Sequence, residues 1–192
     1  MEHHILYISG LGDNYDGIRR FFLFFWRIFG VRAELVSMQW YDGKPYDEKY
    51  KRVIAAIEAS QARGYSVSLV GESAGGSMAM NVFARTESIH RLISLCGVNS
   101  YRTPISPRIF KRGPAFKESV SILNESQAKA IKDRLKRISS VTAVFDQTVP
   151  IKTNIIPGAR RVTLWSIGHL TTILLCLSLF SFIVVREVRR QI

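Results

Sequence analysis

The sequence predicts an α/β fold, a three-layer α/β/α sandwich with a mostly parallel sheet of about six strands. The first observation is that short apolar runs alternate with longer segments of helical periodicity, which is typical of consecutive βαβ units. The second is the composition, since 47% hydrophobic and 22% charged residues are typical of a folded globule. A chain of 192 residues has the size of one domain, so we expect residues 1–192 to form a single domain.

Six short apolar runs are the strand candidates. They are 4–9, 33–38, 66–71, 91–96, 141–146 and 161–166. Helical periodicity predicts helices between and after them, at 16–29, 46–63, 74–87, 119–138 and 170–190. In helix 46–63, for example, Tyr50, Val53 and Ile57 recur every three or four residues and Gly64 follows the last turn. This pattern indicates a helix with one buried face that ends at the glycine.

The segment 97–118 interrupts the alternation of strands and helices. It contains three prolines and two glycines, and its apolar residues show no clean period. Such a composition is typical of a connection between elements. We therefore predict a connection or a short lid here.

The net charge of +12 makes nucleic acid, anionic lipid and an acidic substrate the partner classes to consider. The basic residues are spread over several segments, without the aromatic stacking motif of an RNA-binding module or a helix-turn-helix pattern. We therefore do not expect a nucleic-acid partner. The N-terminal sequence MEHHILYISG lacks the basic start and long apolar core of a secretory signal, so we expect a cytoplasmic protein without a signal peptide.

A serine stands between glycines where the third strand candidate ends, in the sequence Gly71-Glu72-Ser73-Ala74-Gly75. This pentapeptide matches G-x-S-x-G, a pattern that places a nucleophile on a sharp turn from strand to helix. The turn needs neighbours without bulk, and glycine tolerates both close approach and unusual dihedral angles. Ser73 is therefore the candidate nucleophile, and a turn residue without a catalytic role is the alternative interpretation.

A serine hydroxyl is a weak nucleophile that needs a histidine base, which in turn needs an orienting carboxylate. His169 follows the last strand candidate, and Asp146 ends the strand candidate 141–146. Catalytic groups collect at this carboxyl edge of parallel sheets. Taken singly, Asp146 also fits a turn-capping carboxylate and His169 a helix-capping residue. Their shared position at strand ends favours a triad with Ser73.

The three candidates occur along the chain in the order Ser73, Asp146, His169. In this order of nucleophile, acid and histidine the chain resembles the α/β-hydrolase superfamily, and within it the small serine hydrolases without a large cap domain. The resemblance implies a serine hydrolase that cleaves a carboxylic ester or thioester through an acyl-enzyme on Ser73, with a small-molecule acyl substrate. It implies no metal and no organic cofactor. It also implies an oxyanion hole formed by the backbone amides of Leu11 and Ala74, although Ser9 stands where the superfamily often has a histidine.

Two other function classes stay open at this stage. One is a non-catalytic α/β-hydrolase-like binding protein, because this fold also hosts members without enzymatic activity. The other is a membrane-anchored protein with a C-terminal transmembrane helix, because no Asp, Glu, Lys or Arg occurs from Leu164 to Val185 and about 20 apolar residues span a bilayer. The triad requires instead that this stretch divides into a strand, a loop with His169 and the very apolar helix 170–190.

The helix candidates 16–29 and 170–190 are the most apolar in the chain. Between Phe21 and Phe29 only Arg27 is charged, so apolar side chains cover more of the helix than one buried face requires. In the fold that the chain resembles, these helices lie side by side, which implies an apolar surface for an anionic membrane or for a homodimer. The arginines expected to meet anionic headgroups are Arg19, Arg20, Arg27, Arg186, Arg189 and Arg190.

Overall fold

A single six-stranded sheet runs through the computed structural model, which describes residues 2–123 and 131–191. The strand order is β2-β1-β3-β4-β5-β6, and every neighbouring pair is parallel. All six strand candidates are present, so the predicted α/β class and sheet are confirmed. The strands are β1 (His3–Ile8), β2 (Arg32–Val36), β3 (Ser66–Glu72), β4 (Leu92–Leu95), β5 (Ile138–Phe145) and β6 (Arg160–Ile167).

Helices cover both faces of the sheet and complete the three layers. Apolar side chains from the two helical layers form separate core clusters, one against each face. The helices on the first face are α1 (Asp16–Phe25), α7 (His169–Leu177) and α8 (Ser181–Arg189). Those on the second face are α2 (Tyr46–Ala62), α3 (Gly75–Arg85) and α5 (Pro114–Ser121). Two short helices, α4 (Pro107–Arg112) and α6 (Ile151–Asn154), lie in connections.

Strand β5 begins three residues before the predicted start at 141. The reason is that Ser139 and Ser140 are buried, although their hydroxyls made the sequence pattern look polar. The Ser139 hydroxyl donates to Glu187 Oε2 at 2.9 Å, and Ser140 Oγ accepts from the amide of Ile156 at 3.1 Å. Hydroxyls that keep their hydrogen bonds can be buried at little cost.

The helix predicted over 119–138 is not continuous. Helix α5 ends at Ser121, and Lys132–Arg137 forms a short 3₁₀ helix, while 124–130 lie outside the described residues. The buried guanidinium of Arg134 donates to the carbonyls of Thr86 and Ala84, which ties this segment to the end of α3. The predicted lid or connection, 97–118, contains α4 and the start of α5, and its role as a lid stays a prediction.

The C-terminal helix predicted over 170–190 consists of two helices, α7 and α8, which meet at an angle of 70°. The break lies at Ser178, whose hydroxyl donates to the carbonyl of Leu174, a bond that competes with helix continuation and bends helices. No single helix in the described part of the chain is long and apolar enough to cross a membrane. The bent pair α7 and α8 passes that test together, by length and composition only.

Candidate active site

Ser73 lies on the turn between β3 and α3, as the motif predicts. Its φ of 49° is in the left-handed region that residues other than glycine rarely adopt. The turn is held by backbone hydrogen bonds, since the amide of Ser73 donates to the carbonyl of Leu95 at 3.0 Å and its carbonyl accepts from Gly76 and Val98. A strained serine held by its surroundings at a strand end is a feature of functional sites.

The glycines after Ser73 allow α3 to start directly against neighbouring strand ends. A Cβ at Gly75 would overlap the carbonyl oxygen of Ile8, and one at Gly76 would lie 2.7 Å from the Cα of Gly97. Neither contact is possible for a real side chain, because backbone atoms cannot move aside as a flexible side chain does. The small residues of the motif are therefore required by packing as well as by the turn.

Replacement of Gly75 by alanine is expected to lower the free energy of unfolding by at least about 2 kcal/mol, because the new methyl group meets backbone. The matched control is Gly17→Ala in α1, where nothing lies within 4 Å of the added Cβ. That exchange is expected to stabilise the protein by up to about 1 kcal/mol. Urea denaturation measures both, and equal effects at the two positions would contradict the packing argument.

His169 and Asp146 complete a hydrogen-bonded chain with Ser73. His169 Nε2 lies 2.8 Å from Ser73 Oγ, and His169 Nδ1 lies 2.7 Å from Asp146 Oδ2. Asp146 directly follows β5, as the sequence predicts, whereas His169 is the first residue of α7 and not part of a loop. Gly168 precedes it with φ of 98°, and this left-handed residue turns the chain sharply from β6 into the helix.

Asp146 is held in its ionised form. Burial alone would raise its pKa, but the hydrogen bond with His169 and those from the backbone amides of Val149 and Thr148 outweigh burial, so that the pKa lies below its usual range. Both amides donate to Oδ1 at 2.8 Å, which leaves Oδ2 directed at the imidazole. An ionised carboxylate here fixes a proton on Nδ1 and leaves Nε2 free to accept one from Ser73.

The loop after β1 approaches Ser73 closely. A Cβ at Gly10 would lie 2.9 Å from the Cβ of Ser73, so the next residue, Leu11, is also brought to this part of the sheet edge. Ala74 is buried and directly precedes α3. Backbone amides at a helix N-terminus favour a negative charge, so Ala74 and Leu11 lie on the two segments that the predicted oxyanion hole needs.

A buried ion pair beneath this loop was not predicted from the sequence. Arg19 Nη2 lies 2.5 Å from Glu72 Oε1 and Arg19 Nε lies 2.8 Å from Oε2, while the hydroxyl of Tyr7 donates to Oε2 at 2.8 Å. Arg19 also donates to the carbonyls of Gly12 and Leu11. The signal was Glu72 itself, because a carboxylate at the end of a buried strand requires a cationic partner.

The expectation that Arg19 meets lipid headgroups is therefore wrong. Its side chain is 5% exposed. Burial alone would lower its pKa, but the hydrogen bonds with the carboxylate of Glu72 and the charge of that carboxylate outweigh burial and raise the pKa. The pair connects α1, the loop after β1 and the residue before Ser73. The other arginines named with it, on α1, α8 and the segments after them, are exposed.

Cys96 lies beside the hydrogen-bonded chain, at the end of β4. Its Sγ and ligand atoms of Asp146 and His169 lie within 4.8 Å of one another, which is close enough to hold a metal ion. Burial and the charge of Asp146 raise the pKa of the Cys96 thiol, whereas a metal ligand must be a thiolate. His169 Nδ1 is also already bonded to Asp146, so the arrangement fits a serine–histidine–aspartate chain better than a metal site.

Known structures with the same architecture cover nearly the whole chain. Est1E from Butyrivibrio proteoclasticus matches with 12% identity and a TM-score of 0.65 over 98% of this chain and 89% of that chain. A structure from work on the metagenome-derived lipolytic enzymes LipS and LipT matches with 13% identity and a TM-score of 0.69, over 98% and 94%. The ydeN gene product from B. subtilis matches with 10% identity and a TM-score of 0.69, over 99% and 100%.

These likenesses give the chain an α/β-hydrolase fold, as the resemblance implied. No protein-family model matches the sequence, and no curated protein matches it significantly. At 10% to 15% identity the structures establish the fold alone, because a single fold hosts many chemistries. An assignment of function therefore depends on the site.

Proposed function

We propose that this chain, which has an α/β-hydrolase fold, is a serine hydrolase that cleaves a carboxylic ester or thioester. The observation that carries the proposal is the continuous hydrogen-bonded chain from Ser73 through His169 to Asp146, with distances of 2.8 and 2.7 Å. A serine, a histidine and a carboxylate that are linked in this way by hydrogen bonds perform nucleophilic acyl transfer on unrelated folds. A binding protein without catalysis would have no need of a strained, partly exposed serine bonded to a buried imidazole.

In the first half-reaction Ser73 Oγ attacks the acyl carbonyl carbon while its proton passes to His169 Nε2. The negative charge that develops on the carbonyl oxygen is stabilised by the backbone amides of Leu11 and Ala74. As the tetrahedral intermediate collapses, the bond to the alcohol or thiol breaks and the leaving group takes the proton from Nε2. The acyl group remains on Ser73 as an ester.

In the second half-reaction a water molecule attacks the same carbonyl carbon and gives its proton to His169 Nε2. Collapse of this second intermediate releases the carboxylic acid, and the proton returns from Nε2 to Ser73 Oγ. Throughout, Asp146 holds the Nδ1 proton and stabilises the imidazolium that forms twice in the cycle. Its lowered pKa keeps it ionised for this role at neutral pH.

Covalent labelling with a fluorophosphonate probe tests the proposal. Such a probe forms a bond from phosphorus to an activated serine oxygen and releases fluoride, so we expect one adduct on the tryptic peptide that contains Ser73. Ser73→Ala should not be labelled. The control Ser121→Ala, which removes an exposed hydroxyl on α5, should be labelled like the unaltered protein. Absence of any adduct on the folded protein, or an adduct only on another residue, would overturn the proposal.

A further inference from the structure

Helix α1 carries large apolar side chains on its solvent side. Phe21 is 60% exposed and Ile28, just after the helix, is 72% exposed. The rings of Phe21 and Phe25 and those of Phe24 and Phe25 contact one another, with centroids 5.1 and 5.5 Å apart. The three phenylalanines form a continuous aromatic surface in contact with water, and Ile28 adds an exposed apolar side chain after the helix.

The adjacent helices extend this apolar surface. The indole of Trp26 donates to the carbonyl of Leu177 at 2.9 Å, which places the end of α1 against the end of α7. On α7, Leu170 and Leu174 are exposed one turn apart and therefore share one side of the helix. We name the whole set the α1–α7 surface; its exposed members are Ile18, Phe21, Phe24, Phe25, Ile28, Leu170, Leu174, Leu179 and Phe182.

The exposed charges on these helices have one sign. In α1, α7, α8 and the turns that follow them, the exposed ionised side chains are all arginines, namely Arg20, Arg27, Arg186, Arg189 and Arg190. The acidic residues of the same helices are paired with other side chains of the protein. Asp16 pairs with buried Arg19, and Glu187, which is 1% exposed, bonds to Ser139 and Arg160.

A cavity of about 650 Å³ beside α1 adds to this positive character. It lies between α1 and the edge strand β2, away from Ser73. Its walls contain four arginines and two glutamates, together with apolar Leu23 and Phe24. The cavity thus opens next to the α1–α7 surface and offers a net positive wall to an anionic group.

We propose that the α1–α7 surface docks the protein on an anionic lipid bilayer. Exposed apolar patches of this extent mark interfaces, and arginines around apolar helices suit anionic headgroups. A second copy of this chain is the weaker occupant, because each copy would bring the same arginines and a net charge of +12, and like charges opposed across an interface are unfavourable. Docking does not depend on the proposed chemistry, so Ser73→Ala should bind vesicles with the same affinity as the unaltered protein.

Vesicle flotation tests the docking surface. The protein is expected to float with vesicles of phosphatidylcholine and phosphatidylglycerol, and to remain in solution with phosphatidylcholine alone. The combined variant Phe21→Ser, Phe25→Ser and Ile28→Ser should lose at least a hundredfold in vesicle affinity. The control is Trp165→Ser, a residue 93% exposed on β6 that points to the opposite face of the sheet from Leu164; this variant should float like the unaltered protein.

A second pair of triple variants tests whether vesicle affinity depends on where the positive charges lie or only on the total charge. Arg20→Gln, Arg27→Gln and Arg186→Gln together should lower the vesicle affinity about a hundredfold. Lys51 on α2, Lys117 on α5 and Lys44, which precedes α2 and pairs with Glu48, lie on the side of the other helical layer. Replacing these three lysines by Gln removes the same charge and should leave the affinity within a few fold. Vesicle binding should also weaken as salt is raised.

Three results would overturn the docking proposal. The first is that the folded, unaltered protein stays in solution with anionic vesicles. The second is that the combined variant of Phe21, Phe25 and Ile28 floats as well as the control Trp165→Ser. The third is a stable dimer in sedimentation that dissociates in the phenylalanine variant, because it would show that a second copy covers the surface. Thermal unfolding of each variant verifies that the fold is kept.

Discussion

Replacing Ser73 by alanine is expected to lower kcat for ester hydrolysis by at least about a thousandfold. In the proposed mechanism the hydroxyl oxygen of Ser73 forms the bond of the acyl-enzyme, and the alanine methyl cannot replace it. Hydrolysis of p-nitrophenyl butyrate at pH 8 measures the loss. Substrate binding should change little, because the substitution leaves the amides of the proposed oxyanion hole and the surrounding walls in place.

The triad should act as one unit. His169→Ala is expected to cost about as much as Ser73→Ala, and the double variant should be no slower than either single variant, because each removes the same pathway. Asp146→Asn should cost about a hundredfold to ten-thousandfold, since the amide cannot hold the same imidazole tautomer. If the losses in the double variant multiplied instead, the three residues would not share one mechanism.

A glycine at position 73 separates stability from activity. The φ of 49° at Ser73 is sterically unfavourable for a residue with a Cβ but not for glycine. Ser73→Gly is therefore expected to be as inactive as Ser73→Ala but more stable than Ser73→Ala in urea denaturation, by up to about 1 kcal/mol, because the relieved strain of about 1–2 kcal/mol exceeds the entropy cost of glycine. A glycine variant less stable than Ser73→Ala would mean that the strain at this turn is smaller than the entropy cost of glycine.

The positions of Ser73 and Asp146 were predictable because they follow from local rules. The glycines around Ser73 and the apolar run before it define a strand-to-helix turn, and Asp146 ends a strand whose neighbours are parallel. The apolar pattern predicts a loop at His169, but Gly168, with its positive φ, lets the helix begin one residue earlier than that pattern indicates.

Long-range pairing decided the features that could not be predicted. In the sequence Ser139 and Ser140 indicate a polar segment. Their burial follows only from hydrogen bonds with residues elsewhere in the chain, Glu187 and Ile156. The break at Ser178 depends on a hydroxyl bonding to its own helix, which sequence periodicity does not register. The sequence does not distinguish Arg19 from its exposed neighbour Arg20 on α1, and only the packing of α1 against the end of β3 reveals Glu72 as the partner of Arg19.

Removing Arg19 alone is expected to lower the free energy of unfolding by about 3–5 kcal/mol. Arg19→Met would leave the carboxylate of Glu72 buried beside Tyr7 without its cation, and Glu72→Leu would leave the buried guanidinium with Asp16 as its carboxylate partner. The side chains of the pair are 5% and 3% exposed, so water cannot replace the missing partner. Urea denaturation of both single variants measures the loss.

The exposed pair between Lys51 and Asp47 on α2 is the matched control. Its side chains are 76% and 72% exposed, and solvent screening limits such pairs to about 0–1 kcal/mol. Lys51→Met should therefore change the free energy of unfolding by less than about 1 kcal/mol. Comparable losses for Lys51→Met and Arg19→Met would show that burial of the Arg19 pair has no special energetic weight.

The double variant Arg19→Met, Glu72→Leu distinguishes a positioning role from a structural one. Two apolar side chains of similar size remove both charges of the Arg19–Glu72 pair, whereas Asp16 loses its partner equally in Arg19→Met and in the double variant. The double variant should therefore be more stable than Arg19→Met alone. It still lacks the guanidinium that donates to the carbonyls of Leu11 and Gly12, which holds the loop of the proposed oxyanion hole next to Ser73. We therefore expect kcat to fall at least about tenfold with KM nearly unchanged, since one misplaced oxyanion donor costs about a hundredfold or more. A stable double variant with full kcat would show that the pair only supports the fold.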